Sequence, residues 1–334
     1  MTPSPAPLAT LASGTLFALA AGLLWGLVFI APLLLPDYPA ALLSVSRYLA
    51  FGLIALPLAW WDRRELATLE RADWIEALKL SLVGNLLYYL FLAAAIQRAG
   101  GPLPTMIIGT LPVVIAVTSK LLEGRDAPAG TTALPWARLV PSLGLLALGI
   151  GLVHQAELAR MRSEAAYDAA RYALGALLAL GAVACWTWYP IRNARWLRAH
   201  PRHSSRAWAT AQGLATLPLS ALGFGVFWMM QAPLGAGDFP MPWGPDPMLF
   251  VGLMFTIGLF GSWLGTICWN AASQRLPTTL AGQLIVFETL AALAYAWGLR
   301  GQWPDMATLL GATLLVIGVA TALRAASRRA TASP

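Results

Sequence analysis

The chain has 334 residues, of which 58% are hydrophobic and only 11% charged, against about 25% charged in ordinary soluble domains. That composition excludes a soluble globular class and leaves one membrane bundle of many spans. The net charge of +7 is spread over short segments between apolar stretches, with no basic arm or aromatic-interleaved basic run, so nucleic acid is not an expected partner.

A hydrocarbon core about 30 Å thick takes about 20 residues of helix. In chain order the predicted spans are 14–36, 40–61, 75–97, 102–122 and 138–155, then 173–191, 207–230, 247–272, 278–299 and 305–323. The first reads as a retained helix and not a cleaved signal, because no Lys or Arg precedes Arg47 and the stretch is too long for a signal core. It carries Trp25. The second holds Arg47 about two turns from its outer end, a position from which it snorkels or pairs with a carboxyl, Glu288 being one candidate.

The third span sets Asn85, Tyr88 and Tyr89 at i, i+3, i+4, hence on one face. An amide and two phenols at mid-depth suit a zwitterion or an aromatic ring, and equally an interfacial belt. The fourth presents Met106, Gly109, Thr110 and Val113 with Pro112 in mid-span. A missing backbone donor frees a carbonyl there, for a cavity or for a packing kink. Lys120 and Glu123 read as a solvated pair at its end.

The segment 156–172, with Glu157, Glu164 and Asp168 beside its arginines, is expected to be an external connection. In the sixth span Tyr189 follows Trp186 by one turn. These aromatics either wall and gate a planar substrate or simply pack. The segment 231–246, rich in Gly and Pro, reads as a second external loop.

The eighth span carries Gly258, Gly261, Ser262 and Gly265 as a small-residue stripe for close helix approach, with Trp263, Thr266, Trp269 and Asn270 as possible cavity residues. The ninth supplies Gln283 and Phe287 one turn apart, with Glu288 beside them. Glu288 is near the middle of an otherwise apolar run, 280–297. A carboxyl there costs roughly 2.5–3.5 kcal/mol on insertion scales, so it is expected to face a cavity or a partner. Ionised, it binds an ammonium; titrating, it couples transport to protons; otherwise it is a helix-to-helix hydrogen bond.

Cys185 and Cys268 both lie in apolar spans, which argues against a disulfide framework. The three histidines, His154, His200 and His203, fall in loops or at span ends. With no metal-ligand spacing, nucleophile motif or paired carboxylates, no metal or organic cofactor is expected and a polytopic membrane enzyme is the weaker reading. Placing both termini in the cytoplasm leaves sixteen Lys and Arg inside, five outside and Arg47 embedded, a strong positive-inside bias.

The halves also repeat. Residues 14–25 align with 175–186 through Gly14/Gly175, Leu16/Leu177, Ala18/Ala179, Leu19/Leu180, Ala21/Ala182 and Trp25/Trp186. Ala94-Ala95-x-Gln97-Arg98 matches Ala271-Ala272-x-Gln274-Arg275, and Gly144, Leu148, Ile150 and Gly151 match Gly311, Leu315, Ile317 and Gly318. Five spans per half is an odd number, so the second half is inverted relative to the first. The expected fold is an all-α membrane protein of ten transmembrane helices in two inverted five-helix repeats, 14–155 and 173–323, a common transporter plan with its site between the repeats.

The stretches "AAGLLWGLVFI", "ALLSVSRYLAFGLIALPL", "AAAIQRAGGPLPTMIIGTLPVVIAV", "GALLALGAVACWTWYPI" and "GSWLGTICWNAASQRLPTTLAGQLIVFETLAALAYAW" carry a resemblance to the drug/metabolite transporter superfamily, in its ten-helix branch of two EamA-type repeats. The Gly-Glu usual after the ninth helix is replaced around Arg300-Gly301, and Glu288-Thr289 stands where the first half has Leu111-Pro112. The resemblance implies a multi-pass inner-membrane transporter of small organic molecules. Its aromatic-rich, nearly uncharged spans are similar to those of the aromatic and neutral amino acid exporters, with hydrophobic cations or drugs as the alternative cargo.

Overall fold

A computed structural model describes residues 8–100, 102–126, 136–162, 169–231, 239–301, 303 and 306–332. The expectations for the connection at 163–168 and the loop at 232–238 lie outside these residues, as do the side chains of Met106, Lys120 and Glu123. Among the described residues the chain is helical throughout, with no strand.

We number the helical runs in chain order. They are α1 (Leu8–Gly26, prolonged by a 3-10 turn at Leu27–Phe29 and by Ala31–Leu34), α2 (Ala40–Leu66) and α3 (Arg71–Leu80 and Tyr88–Ala99, joined by a π segment at Ser81–Leu87). Then come α4 (Pro102–Ile108 and Leu111–Asp126), α5 (Trp136–Arg162), α6 (Ala169–Ala199) and α7 (Ser205–Gln231). Last are α8 (Pro247–Thr256 and Gly265–Arg275, joined by a π segment at Ile257–Leu264), α9 (Thr278–Leu284 and Val286–Arg300) and α10 (Met306–Ala332).

Among the described residues eight runs are long and apolar enough to cross a membrane. The exceptions are α4, broken into two short pieces, and α5, apolar only over Val140–Leu152. The break in α4 falls at Gly109 and Thr110, just before Pro112 of the second piece. Proline cannot donate into the preceding turn, and the Thr110 hydroxyl caps the loose end by donating to the Ile107 carbonyl at 2.7 Å.

The principal packing pairs are α2 with α7, α5 with α10, α3 with α6, α1 with α8, α1 with α9, and α4 with α9. Small residues let the backbones close. Gly52 abuts Leu217, Gly213 abuts Ala55 and Gly223 abuts Val45, so α2 and α7 run antiparallel. Gly84 lies flat against the Tyr189 ring, where an added Cβ would meet Cδ2 at 2.1 Å. Gly258 abuts Ala50 and Phe51, and Gly265 abuts the Trp25 indole, so the eighth-span stripe brings α8 onto α1 and α2.

Two kinds of helix interruption occur at corresponding places. A π segment lies in the third and in the eighth run, and a break lies in the fourth and in the ninth. Such wide turns leave the i−4 ladder locally slack and are frequent at functional sites.

The connections gather at two opposite ends. At one, Asp62 pairs with Arg206 (2.8 Å), the Glu65 carboxylate accepts from the Ser204 amide, and Gln274 accepts from the Ser205 hydroxyl. At the other, the Tyr38 hydroxyl donates to the Trp243 carbonyl and accepts from the Asp246 amide, while Gln97 donates to the Tyr38 carbonyl. Desolvation lifts the Tyr38 phenol above its ordinary pKa, so it stays a neutral donor. The first end is richer in arginine and is called the basic end below. Exposed Trp60 and Trp61 beside Arg63 and Arg64 at this end, and exposed Trp243 at the other, are placed as membrane-interface aromatics are.

Candidate functional site

Where α1, α2, α3, α6, α8 and α9 converge they enclose a cavity of about 10 Å³, room for about one water. Its wall takes Trp25 and Val28 from α1, Arg47 and Tyr48 from α2, and Asn85 and Tyr88 from α3. Trp186 of α6, Gly261, Ser262 and Thr266 of α8, and Glu288 of α9 complete it. Both π segments reach this wall, at Asn85 and at Gly261-Ser262. Glu288 sits in the first turn after the break in α9.

Two ionisable side chains of opposite kind face this small volume, Arg47 with 3% and Glu288 with 1% of its surface exposed. The Arg47 Nε donates to Ser262 Oγ at 3.1 Å, and its guanidinium lies over the rings of Tyr89 (4.4 Å) and Tyr48 (4.7 Å). Its Nη1 has no partner. Glu288 accepts a long hydrogen bond from the Tyr88 hydroxyl at Oε1 (3.4 Å), and its Oε2 has no partner. Each group is thus held on one side and left without a partner on the other. Arg47 does not snorkel, and its contacts are Ser262 and the two phenol rings, not the carboxylate.

The aromatic wall is continuous. Trp186 is sandwiched between Tyr88 (4.6 Å) and Tyr189 (4.8 Å), both stacked, and meets Trp25 edge-on at 4.9 Å. Trp25 in turn leans on Trp269 at 5.2 Å. The indole nitrogens of Trp186 and Trp269 are buried without partners. A buried donor left unmade costs about 1–3 kcal/mol, so these groups favour a bound acceptor.

Of the residues expected to bind substrate, Asn85, Tyr88, Trp186 and Glu288 meet at the cavity, with Trp25 beside them. Tyr189 stands one layer behind, donating to Gln212 Oε1 at 2.9 Å. Tyr89 supports Arg47 and donates to the Val28 carbonyl at 3.3 Å. Gln283 is fully buried with both amide atoms unpartnered but is not in the cavity wall, and Phe287 packs against Gly22. Thr110 and Pro112 belong to the break in α4. Trp263 is turned toward Thr210 (3.3 Å), and Asn270 accepts from Asn193 at 2.8 Å. These lie outside the cavity lining. Among the described residues no group of three or more His, Cys, Asp or Glu side chains comes together as a metal would need.

Sequence reasoning passed over Tyr48, Val28 and a polar column behind the wall. Asn85 donates to Thr216 (3.4 Å), Gln212 to Asn193 (3.2 Å), Trp208 to Asn193 (2.8 Å) and Thr210 to Asp62 (2.8 Å), reaching the basic end. The available signal was Thr210, Gln212 and Thr216 in a span otherwise short of polar groups.

Comparisons with known proteins agree with this architecture. The model of the EamA-like transporter family matches residues 12–128. Inner membrane protein YtfF of Escherichia coli (strain K12) is 52% identical over 317 residues, covering 94% of this chain and 95% of that protein. A solved crystal structure of a protein only 20% identical superposes with a TM-score of 0.67, over 93% of this chain and 97% of its own. At that identity the likeness concerns the fold alone.

Proposed function

Because the chain belongs to the EamA-like transporter family, we propose that it exports small zwitterionic metabolites, foremost aromatic and neutral amino acids, across a bacterial-type inner membrane by alternating access. The observation that carries this reading is the pair of half-partnered ionisable groups on one cavity, Arg47 Nη1 and Glu288 Oε2. An amino acid brings a carboxylate for the first, an ammonium for the second and a side chain for the Trp186 and Trp25 faces. A hydrophobic cation, the rival cargo, meets Glu288 and the same rings but is repelled by Arg47. A catalytic role finds less support, since the family and the inner-membrane relative point to a transporter rather than an enzyme.

The test is flux in proteoliposomes. Protein-dependent flux of phenylalanine, taken above that of empty liposomes, is expected to exceed that of its methyl ester or its N-acetyl derivative by roughly 10⁴-fold, because a site built around a polar group rejects the analogue that leaves it unpaired. Equal flux of the methyl ester and of a lipophilic cation would transfer the proposal to cations.

A cavity of about 10 Å³ holds no amino acid, so on this reading the site must widen to take its cargo and open on each side in turn. The architecture proposed for that motion is the ten-helix inverted repeat with both termini cytoplasmic. It is supported by the pairing of each run with its counterpart, or of counterpart pairs with each other (α3–α6 with α8–α1), and by the matched interruptions. Cysteines introduced at 192–206 are expected to react with an impermeant thiol reagent only from the cytoplasm, and those at 239–246 only from outside. The opposite pattern sinks the topology.

A further inference from the structure

Between the central cavity and the basic end, α8 carries polar atoms that the hydrogen-bonded column of α6 and α7 does not use. Thr266, in the cavity wall, is followed by Trp269 and Ser273 at i+3 and i+7, so the three share one helix face. Seven residues of helix rise about 10 Å, which carries that face from the cavity almost to the last turn of α8. Asn270, on one flank, is engaged: it accepts from Asn193 of α6 and donates to the Ser205 carbonyl. Trp269, on the other, leans onto Trp25 of α1. Ser273 stands between these two directions.

Trp269 and Ser273 are both buried, and neither the indole Nε1 nor the hydroxyl has a hydrogen-bond partner. The serine is the more telling of the two. A hydroxyl inside a helix can fold back onto the carbonyl four residues earlier, as Thr216 does onto Gln212 (2.6 Å) and Ser220 onto Thr216 (2.9 Å). Ser273 makes no such bond to Trp269, so its proton is left for another acceptor. An indole N–H can only donate, and Trp186 at the cavity presents a third donor of this kind. An ammonium, which has donors alone, answers neither indole. A carboxylate, which has acceptors alone, answers all three groups. The face ends behind a seal: Gly14 of α1 rests on Leu276 and Arg275, and Arg198 of α6 donates to Thr278 of α9 at 2.7 Å.

We infer that this face is a second, transient binding site for the carboxylate of the cargo, with Ser273 Oγ and Trp269 Nε1 as its donors, on the half of the route between the central cavity and the basic end. The inference rests on the amino acid reading above and adds the path to it. Opening of the seal admits the cargo beside α8, its carboxylate passes from Ser273 to Trp269 and then to Arg47 Nη1, and its side chain arrives at Trp25 and Trp186. Neither donor belongs to the wall of the central cavity, so the two sites can be tested apart.

The experiment uses the full chain in oriented proteoliposomes, with Cys185→Ala and Cys268→Ala as background and Ser273→Cys as reporter. An impermeant methanethiosulfonate is expected to modify position 273 from the basic-end side only. Phenylalanine at about ten times its half-saturating concentration for transport is expected to slow that reaction about tenfold, and its methyl ester is expected not to. Trp269→Phe keeps a ring against Trp25 but removes the N–H, and is expected to raise the protecting concentration at least about tenfold, the worth of one hydrogen bond to a charged group. In the parent chain, Ser273→Ala discards an unpartnered hydroxyl. It is expected to melt no lower than the parent, yet to need several-fold more phenylalanine for half-maximal entry from the basic end. Position 273 unreactive from that side, in a protein that carries phenylalanine, overturns this inference alone. So does modification that phenylalanine does not slow, which would mean a wetted interior only, or half-maximal entry unchanged by Ser273→Ala. Protection that Trp269→Phe leaves unchanged also overturns it, since the cargo would then act by a change of shape elsewhere. A parent protein that carries no phenylalanine sinks the amino acid reading, and this inference with it.

Discussion

Arg47→Met is expected to stop transport and to lower stability by about 1–3 kcal/mol, since it leaves a buried polar group facing the same cavity with less to answer it. The stranded group is Glu288, 1% exposed and held only by a long bond from Tyr88. Glu288→Met strands the guanidinium in the same way, although the Tyr48 and Tyr89 faces soften the loss. The informative variant is the double one. With both charges gone the site becomes an apolar contact, and stability is expected to return to within about 1–2 kcal/mol of the parent, while flux stays at background. Thermal melting in detergent and proteoliposome flux read the two effects separately. Recovery of flux in the double variant would show that the charges serve only each other.

Trp186→Ala is the second test. The indole fills the space between Tyr88 and Tyr189 and braces Trp25, so its removal opens a void at the centre of the bundle, a change that costs about 3–5 kcal/mol in well-packed cores. The functional effect is expected to be larger for aromatic than for small substrates, because the lost surface is the one a ring would stack on. Trp186→Phe keeps the sandwich but removes the indole nitrogen, and is expected to fold normally with weakened transport. Unchanged flux and unchanged preference in a folded Ala variant would remove the aromatic wall from the mechanism.

Much of this was legible in the chain. Apolar runs of the right length foretold the helices, because lipid leaves the backbone no alternative to intrahelical bonding. Glu288 announced itself as a carboxyl in an apolar run, and Trp25 and Trp186, aligned by the internal repeat, meet edge-on at the cavity. Other features were hidden for physical reasons. The facing of Asn85, Tyr88 and Tyr89 was reasoned with a period of 3.6, but a π segment precedes Tyr88 and widens the turn. Asn85 and Tyr88 still share the cavity, while Tyr89 departs to Arg47 and the Val28 carbonyl.

Arg47 lies within reach of a membrane face by length alone, and only the rings of Tyr48 and Tyr89 reveal that it points inward. Trp263 belongs to the partnership with Thr210 on α7, a contact between residues far apart in sequence that no local pattern announces.

The paired interruptions, at Ser81–Leu87 with Ile257–Leu264 and after Ile108 with Leu284, bear on the direction of traffic. A valve needs unlike ends: one easy to open, the other latched. Here the interruptions of one half have like-built counterparts in the other, and on the inverted arrangement proposed above the work of opening toward either compartment is expected to be of similar size. A carrier of that construction rectifies nothing by itself. Its net flow follows the chemical potential of the cargo, and in a cell that accumulates the cargo the same symmetric device acts as a relief outlet.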